Sequence, residues 1–339
     1  MKKYIALLGI AAVLASCASN KNSATNKEPD FYQKIKNVPD SIKVGEITVL
    51  NLFKHQILAH ETPEYDSLRI VEKVYKPHKE LWANCYGMIF GEENAPKFNT
   101  PEGMMEWNKK LYKENKIFFD QRVSELLKVD LEKMIKNNLL KFEKLVPYIP
   151  KAKISILFTP ITGIGFGGCE AEQFALELNN KTLDVAYTVE KGLPHELNHL
   201  VYEKFRDEDP DSGTALSQTI DEGFACYFTY LFFDKKITEY EAVENMTKAN
   251  WNWFLQHEKE IYTKVKPYFS DKSGNNPLLR NDKLKLFPDA PKTLNYWLGF
   301  RIISKYVEKH GEKSWKDIYN LTAKEVLEKS GYEQFINTL

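Results

Sequence analysis

Residues 193–202 read LPHELNHLVY, and the two histidines four apart constrain the fold more than any other stretch. On a helix, positions i and i+4 lie on one face, one turn apart. His195 and His199 can then offer two ring nitrogens to a single ion. Glu196 is offset by one residue. It cannot share the ion with both histidines, but it can reach water beside the ion and take its proton as a general base. Such a site needs a third protein ligand and an open position. The helix must therefore pack against another element that supplies the ligand. The alternative is a surface helix with two solvated imidazoles. Against it, Leu193, Leu197, Leu200 and Val201 make most of the segment apolar, and buried imidazoles without partners are costly.

The third ligand is expected from TIDEGFACYFTYLFF, residues 219–233, where Glu222 follows His199 by 23 residues. Its neighbours Ile220, Phe224, Ala225, Phe228 and Leu231 are apolar or small. A carboxylate in such a stretch asks for a cation. The competing reading makes Asp221 and Glu222 the acids of an N-terminal helical turn, and Asp221 is the other candidate ligand. Two nitrogens, one oxygen and an open position suit Zn2+.

These residues carry a resemblance. HELNH followed by Glu222 resembles the gluzincin branch of the HExxH metallopeptidases, whose third ligand is a glutamate on a following helix. More narrowly, PHELNHLVY, DEGFA and YWLGFRIISKYVEKHG, in that order, are similar to a bacterial family described only as predicted zinc-dependent proteases. The resemblance covers about residues 150–312. It implies His195, His199 and Glu222 as zinc ligands, Glu196 as catalytic acid and base, and a zincin-like fold with a small sheet above the active-site helix. It also implies that Tyr296, at the start of LNYWLGF, donates a hydrogen bond to the tetrahedral oxyanion; the alternative is a core aromatic. Many gluzincins carry an Asp four residues after the ligand glutamate to orient a ligating histidine. Here that place is Cys226, so the orienting carboxylate is expected elsewhere, with Asp221 the candidate.

The chain opens MKKYIALLGIAAVLASC, with Lys2 and Lys3 before a short apolar run and small residues before Cys17. This is an export signal, too short to span a bilayer. Leu14-Ala15-Ser16-Cys17 resembles the bacterial lipobox, which implies lipidation at Cys17. Ala18 stands where an Asp often signals inner-membrane retention, which favours the outer membrane. The polar stretch ASNKNSATNKEPD reads as a tether. Lys+Arg and Asp+Glu both number 47, so no basic surplus points to nucleic acid. Cys85, Cys169 and Cys226 are widely spaced and give no paired-cysteine metal signal.

The reading divides the chain into a signal at 1–16, a tether at 17–40, a helical section at 41–150 and a metallopeptidase-like domain at 151–339. Residues 62–85 show helical spacing, and 101–145 fit long helices ended by Pro147 and Pro150. KISILFTP (153–160) reads as a strand. TGIGFGG reads as a tight turn, since it lacks the ending of a phosphate loop. EQFALELN reads as a strand with one buried face, and TLDVAYTVE as a third strand or extended lead-in. Helices are expected over 193–205, 214–233 and 294–310, which makes the class α+β. The expected function is a lipid-anchored zinc peptidase acting on a peptide or protein substrate. The alternative is an envelope lipoprotein that uses a zincin-like fold to bind peptide or protein without catalysis.

Overall fold

The computed structural model describes residues 30–79, 82, 95–159, 167–170, 173–179, 184–206 and 209–339. Cys17, Cys85 and most of the glycine-rich TGIGFGG stretch lie outside them.

The β-branched run at 153–158 forms β3 (Ala152–Leu157), the middle strand of a five-stranded sheet. Its neighbours are β2 (Ile47–Leu50) and β5 (Gln173–Glu177), both parallel to it, with Val49 opposite Ile154 and Ser155 opposite Ala175. The edges are β1 (Ser41–Val44), antiparallel to β2, and β4 (Gly167–Glu170), antiparallel to β5. Residues 41–50, expected within a helical section, are thus two strands. They alternate Ile42, Val44, Ile47, Val49 around Gly45, whose φ of 54° makes the tight reversal that glycine accommodates. A helix, Phe31–Lys36, also begins inside the stretch expected to be tether.

Both faces of the sheet are covered. Ile154, Ile156 and Leu176 join the large core that includes Val189, Leu193 and Leu197. Leu157 and Ala175 join a second core with Leu52, Ile70, Met104 and Trp107. The expected one-sided strand at 172–179 is therefore buried on both faces, because α1 (Leu52–Leu58) and α2 (Pro101–Leu126) pack against the second. Within 62–85, the described residues form three consecutive short helical pieces of different pitch, Ser67–Ile70, Val71–Tyr75 and Lys76–His78.

The rest is helical and includes α3 (Leu131–Leu145), α4 (Val185–Glu203), α5 (Ala215–Phe232), α6 (Glu258–Val265), α7 (Leu294–His310) and α8 (Tyr332–Thr338). The class is α+β and mostly helical. Residues 185–190, expected as strand or lead-in, are the first turns of α4. Asp184 caps them, its side chain accepting from the Tyr187 amide at 2.7 Å. Pro194 sits inside this helix and cannot donate to the Glu190 carbonyl. Asn138 from α3 donates to that carbonyl instead, at 2.7 Å, so the helix runs through to the histidines.

Helices α5 and α7 cross at Gly223 and Gly299. A Cβ on Gly223 would lie 2.1 Å from the Gly299 carbonyl carbon, and one on Gly299 would lie 1.9 Å from the Thr219 carbonyl oxygen. Only glycine permits that approach. Glu222 is next to one glycine and Tyr296 is one turn before the other, so the crossing brings both to one place.

Candidate metal centre

His195 and His199 share one face of α4, as their spacing requires. Opposite them, α5 presents Glu222. The Nε2 atoms of the two histidines are 3.3 Å apart. The Glu222 Oε2 lies 3.5 Å from the Nε2 of His195 and 3.3 Å from that of His199. The three donor atoms thus form a nearly equilateral triangle. A tetrahedral zinc with bonds of about 2.0–2.1 Å needs ligand-to-ligand edges of about 3.3–3.4 Å. Glu222 Oε2 is also buried without a hydrogen bond, which is costly for a carboxylate unless a cation meets it. The residues fit the ion.

The acids and imidazoles of the site shift one another's protonation. Burial raises the Glu222 carboxyl, but the two imidazoles, His199 foremost, outweigh it and hold it well below the usual carboxylate range. Burial pulls His199 down, yet Asp221 and Glu222 leave it well above its ordinary value. The site is a knot of opposite charges.

Asp221 does not join the triangle. Its Oδ1 lies 2.7 Å from His199 Nδ1, the ring nitrogen turned away from the other donors. A carboxylate there fixes the imidazole's tautomer and orientation. It takes the orienting part that the place of Cys226, fully buried, cannot supply. Glu244 was not legible in the sequence. One of its carboxyl oxygens, a His195 ring nitrogen and the Cys226 sulfur lie within 4.8 Å of one another. It reaches them from a turn in which Glu244 and Asn245 both have positive φ, 52° and 51°, a conformation that the residue types alone do not announce.

Glu196 is half-buried beside the triangle. Lost solvation pushes its carboxyl up to about 7, against the pull of His195 and His199. Tyr296 stacks on His195 with ring centroids 6.5 Å apart and planes 15° apart. Its phenol is held well above its ordinary value, by burial first and then by the neighbouring Glu222 carboxylate. The structure therefore brings His195, Glu196, His199, Asp221, Glu222 and Tyr296 together from α4, α5 and α7.

Asp221→Asn is expected to keep the fold and weaken zinc binding by about 10–100-fold. Chelator competition on the folded protein measures this; affinity equal to the parent's would mean that Asp221 does not support the centre.

Comparison with known proteins places the chain more coarsely. Residues 181–334 match the family described as gliding motility protein GldB. Residues 1–18 match the prokaryotic membrane lipoprotein lipid attachment site, and Cys17 is the one cysteine within them. No curated protein and no solved structure matches the chain. Among the described residues, no helix is long and apolar enough to cross a membrane. The chain is a lipoprotein held at the cell envelope by its N-terminal lipid, and its C-terminal half is similar to a gliding-motility lipoprotein family.

Proposed function

We propose that this envelope lipoprotein is a zinc-dependent peptidase of the gluzincin type, with a zincin-like arrangement of its C-terminal half. The observation that carries the reading is the triangle of donor atoms with edges of 3.3, 3.3 and 3.5 Å, set beside Glu196. When bound, zinc supplies Lewis acidity toward a peptide carbonyl and acidifies water. Glu196 accepts the proton of the attacking water and hands it to the leaving amine. Tyr296 donates its hydroxyl proton in a hydrogen bond to the carbonyl oxygen as negative charge builds there. Asp221 holds His199 in register throughout.

A second reading has support of its own. The match of residues 181–334 to a gliding-motility lipoprotein family favours an envelope protein that binds peptide or protein without cutting it. The family match speaks for binding more than for peptidase activity. The side chains speak for catalysis, because holding zinc requires neither Glu196 nor Tyr296.

The deciding experiment incubates the full chain, loaded with one zinc per molecule, with a broad peptide library and sequences the products. Cleavage is the expected result. A fully loaded protein that leaves every peptide intact overturns the peptidase in favour of binding. Glu222→Ala is expected to lower zinc content clearly, by elemental analysis of the folded protein; full occupancy would move the third ligand elsewhere. Tyr296→Phe is expected to lose about 100-fold or more in turnover, and full activity would remove it from the site. Cys17→Ser is expected to leave the detergent phase and lose the mass of the acyl chains, since stable anchoring depends on them. A variant retained in that phase at the parent's mass would place the lipid elsewhere.

A further inference from the structure

The two helices of the candidate metal centre carry a second pairing, one turn on from the ligands. Lys191 lies four residues before His195 on α4, and Cys226 four residues after Glu222 on α5, so each shares the face of a ligand. Both reach the same segment, the turn that follows the short helix Glu239–Ala242. The Lys191 side chain is buried and donates to the Glu241 carbonyl and, at 2.8 Å, to Asn245 Oδ1. The Cys226 sulfur, fully buried, accepts from the Glu244 backbone N–H. An ammonium at that depth needs partners. The turn supplies them, and Lys191 and Cys226 clamp it from two sides.

The clamp holds an unusual backbone. Glu244 and Asn245 keep φ at 52° and 51°, a conformation that costs a residue with a side chain energy and persists only where the surroundings enforce it. Its result is to bring a Glu244 carboxyl oxygen within 4.8 Å of a His195 ring nitrogen. His195 faces His199 and Glu222 through Nε2, which leaves Nδ1 for a supporting group. A ligating imidazole has its second nitrogen held by a neighbour, and His199 has Asp221 for that. A carboxylate at the separation of Glu244 holds the ring through one water.

We infer that Glu244 is a positioning residue for His195, presented by a turn that Lys191 and Cys226 clamp to α4 and α5. The inference deepens the proposed function and rests on its zinc centre, not on peptide cleavage. Each ligating histidine then has its own carboxylate, Asp221 behind His199 and Glu244 behind His195. The position four residues after Glu222 serves without a carboxylate of its own, because Cys226 anchors the turn that carries one.

The test joins chelator competition for zinc on the folded full chain to nitrogen-15 histidine spectra. Glu244 is exposed, so Glu244→Gln leaves the packing intact; circular dichroism confirms its fold. Zinc is expected to bind about 10–100-fold more weakly to this variant. The His195 Nδ1 resonance is expected to shift while those of His199 stay, a selectivity that general loosening would not give. Lys191→Met, which frees the turn, is expected to move the same His195 resonance. Undiminished zinc affinity in Glu244→Gln, or a His195 resonance unmoved in either variant, overturns the role. The spectra are read with and without zinc. A parent that binds no zinc therefore overturns the proposed function, while the metal-free spectra still decide whether Glu244 holds His195.

Discussion

Glu196→Gln is expected to keep near-normal zinc and folding while lowering peptide cleavage at least ~100-fold. The amide keeps the size and hydrogen bonding of the carboxylate but cannot accept a proton. Glu196 is not part of the donor triangle, so the ligand set is untouched. This variant separates the two readings of the molecule. A peptidase loses cleavage and retains peptide affinity. A binding protein shows no cleavage in either form and equal affinity in both. A glutamine variant that cuts as fast as the parent would remove Glu196 as the base even if the parent is an enzyme.

The largest expected loss of stability lies away from the candidate metal centre. Glu258 on α6 is only 3% exposed. Arg301 on α7 grips it with Nε at 2.9 Å and an Nη at 3.2 Å, and the Tyr332 hydroxyl of α8 donates to it at 2.8 Å. Three helices thus meet on one buried carboxylate. Arg301→Met leaves that charge without its partner, at an expected cost of about 3–5 kcal/mol. Pairing it with Glu258→Gln should recover part of the loss, because the uncompensated charge is then gone. Urea unfolding of the single and double variants measures both. A single-variant loss below about 1 kcal/mol would mean that the network contributes little beyond packing.

Periodicity made several elements legible. The helix expected at 294–310 is observed as Leu294–His310, and the one expected at 214–233 as Ala215–Phe232. Errors arose where the strand signal was weak or a neighbour overrode it. The hairpin at 41–50 alternates over only four residues a side, within a stretch otherwise rich in helical spacing. Residues 185–190 are β-branched enough to suggest a strand, yet the Asp184 cap and the Asn138 bond to the Glu190 carbonyl stabilise helix there.

The sequence by itself determined the features that depend on residues near one another in the chain. Two histidines four apart share a helix face wherever that helix is placed, and the charged, apolar and small residues before Cys17 mark export and lipid attachment without reference to the fold. Tertiary structure decided the roles that depend on distant residues meeting. Asp221 and Glu222 are adjacent acids about 100° apart around a helix, and composition does not separate ligand from supporter. The crossing of α5 against α4 turns Glu222 toward both Nε2 atoms and Asp221 toward Nδ1 of His199. The contact of Gly223 with Gly299 then brings Tyr296, 74 residues after Glu222, beside His195. Local spacing says which side chains share a face; only packing between faces says which of them meet.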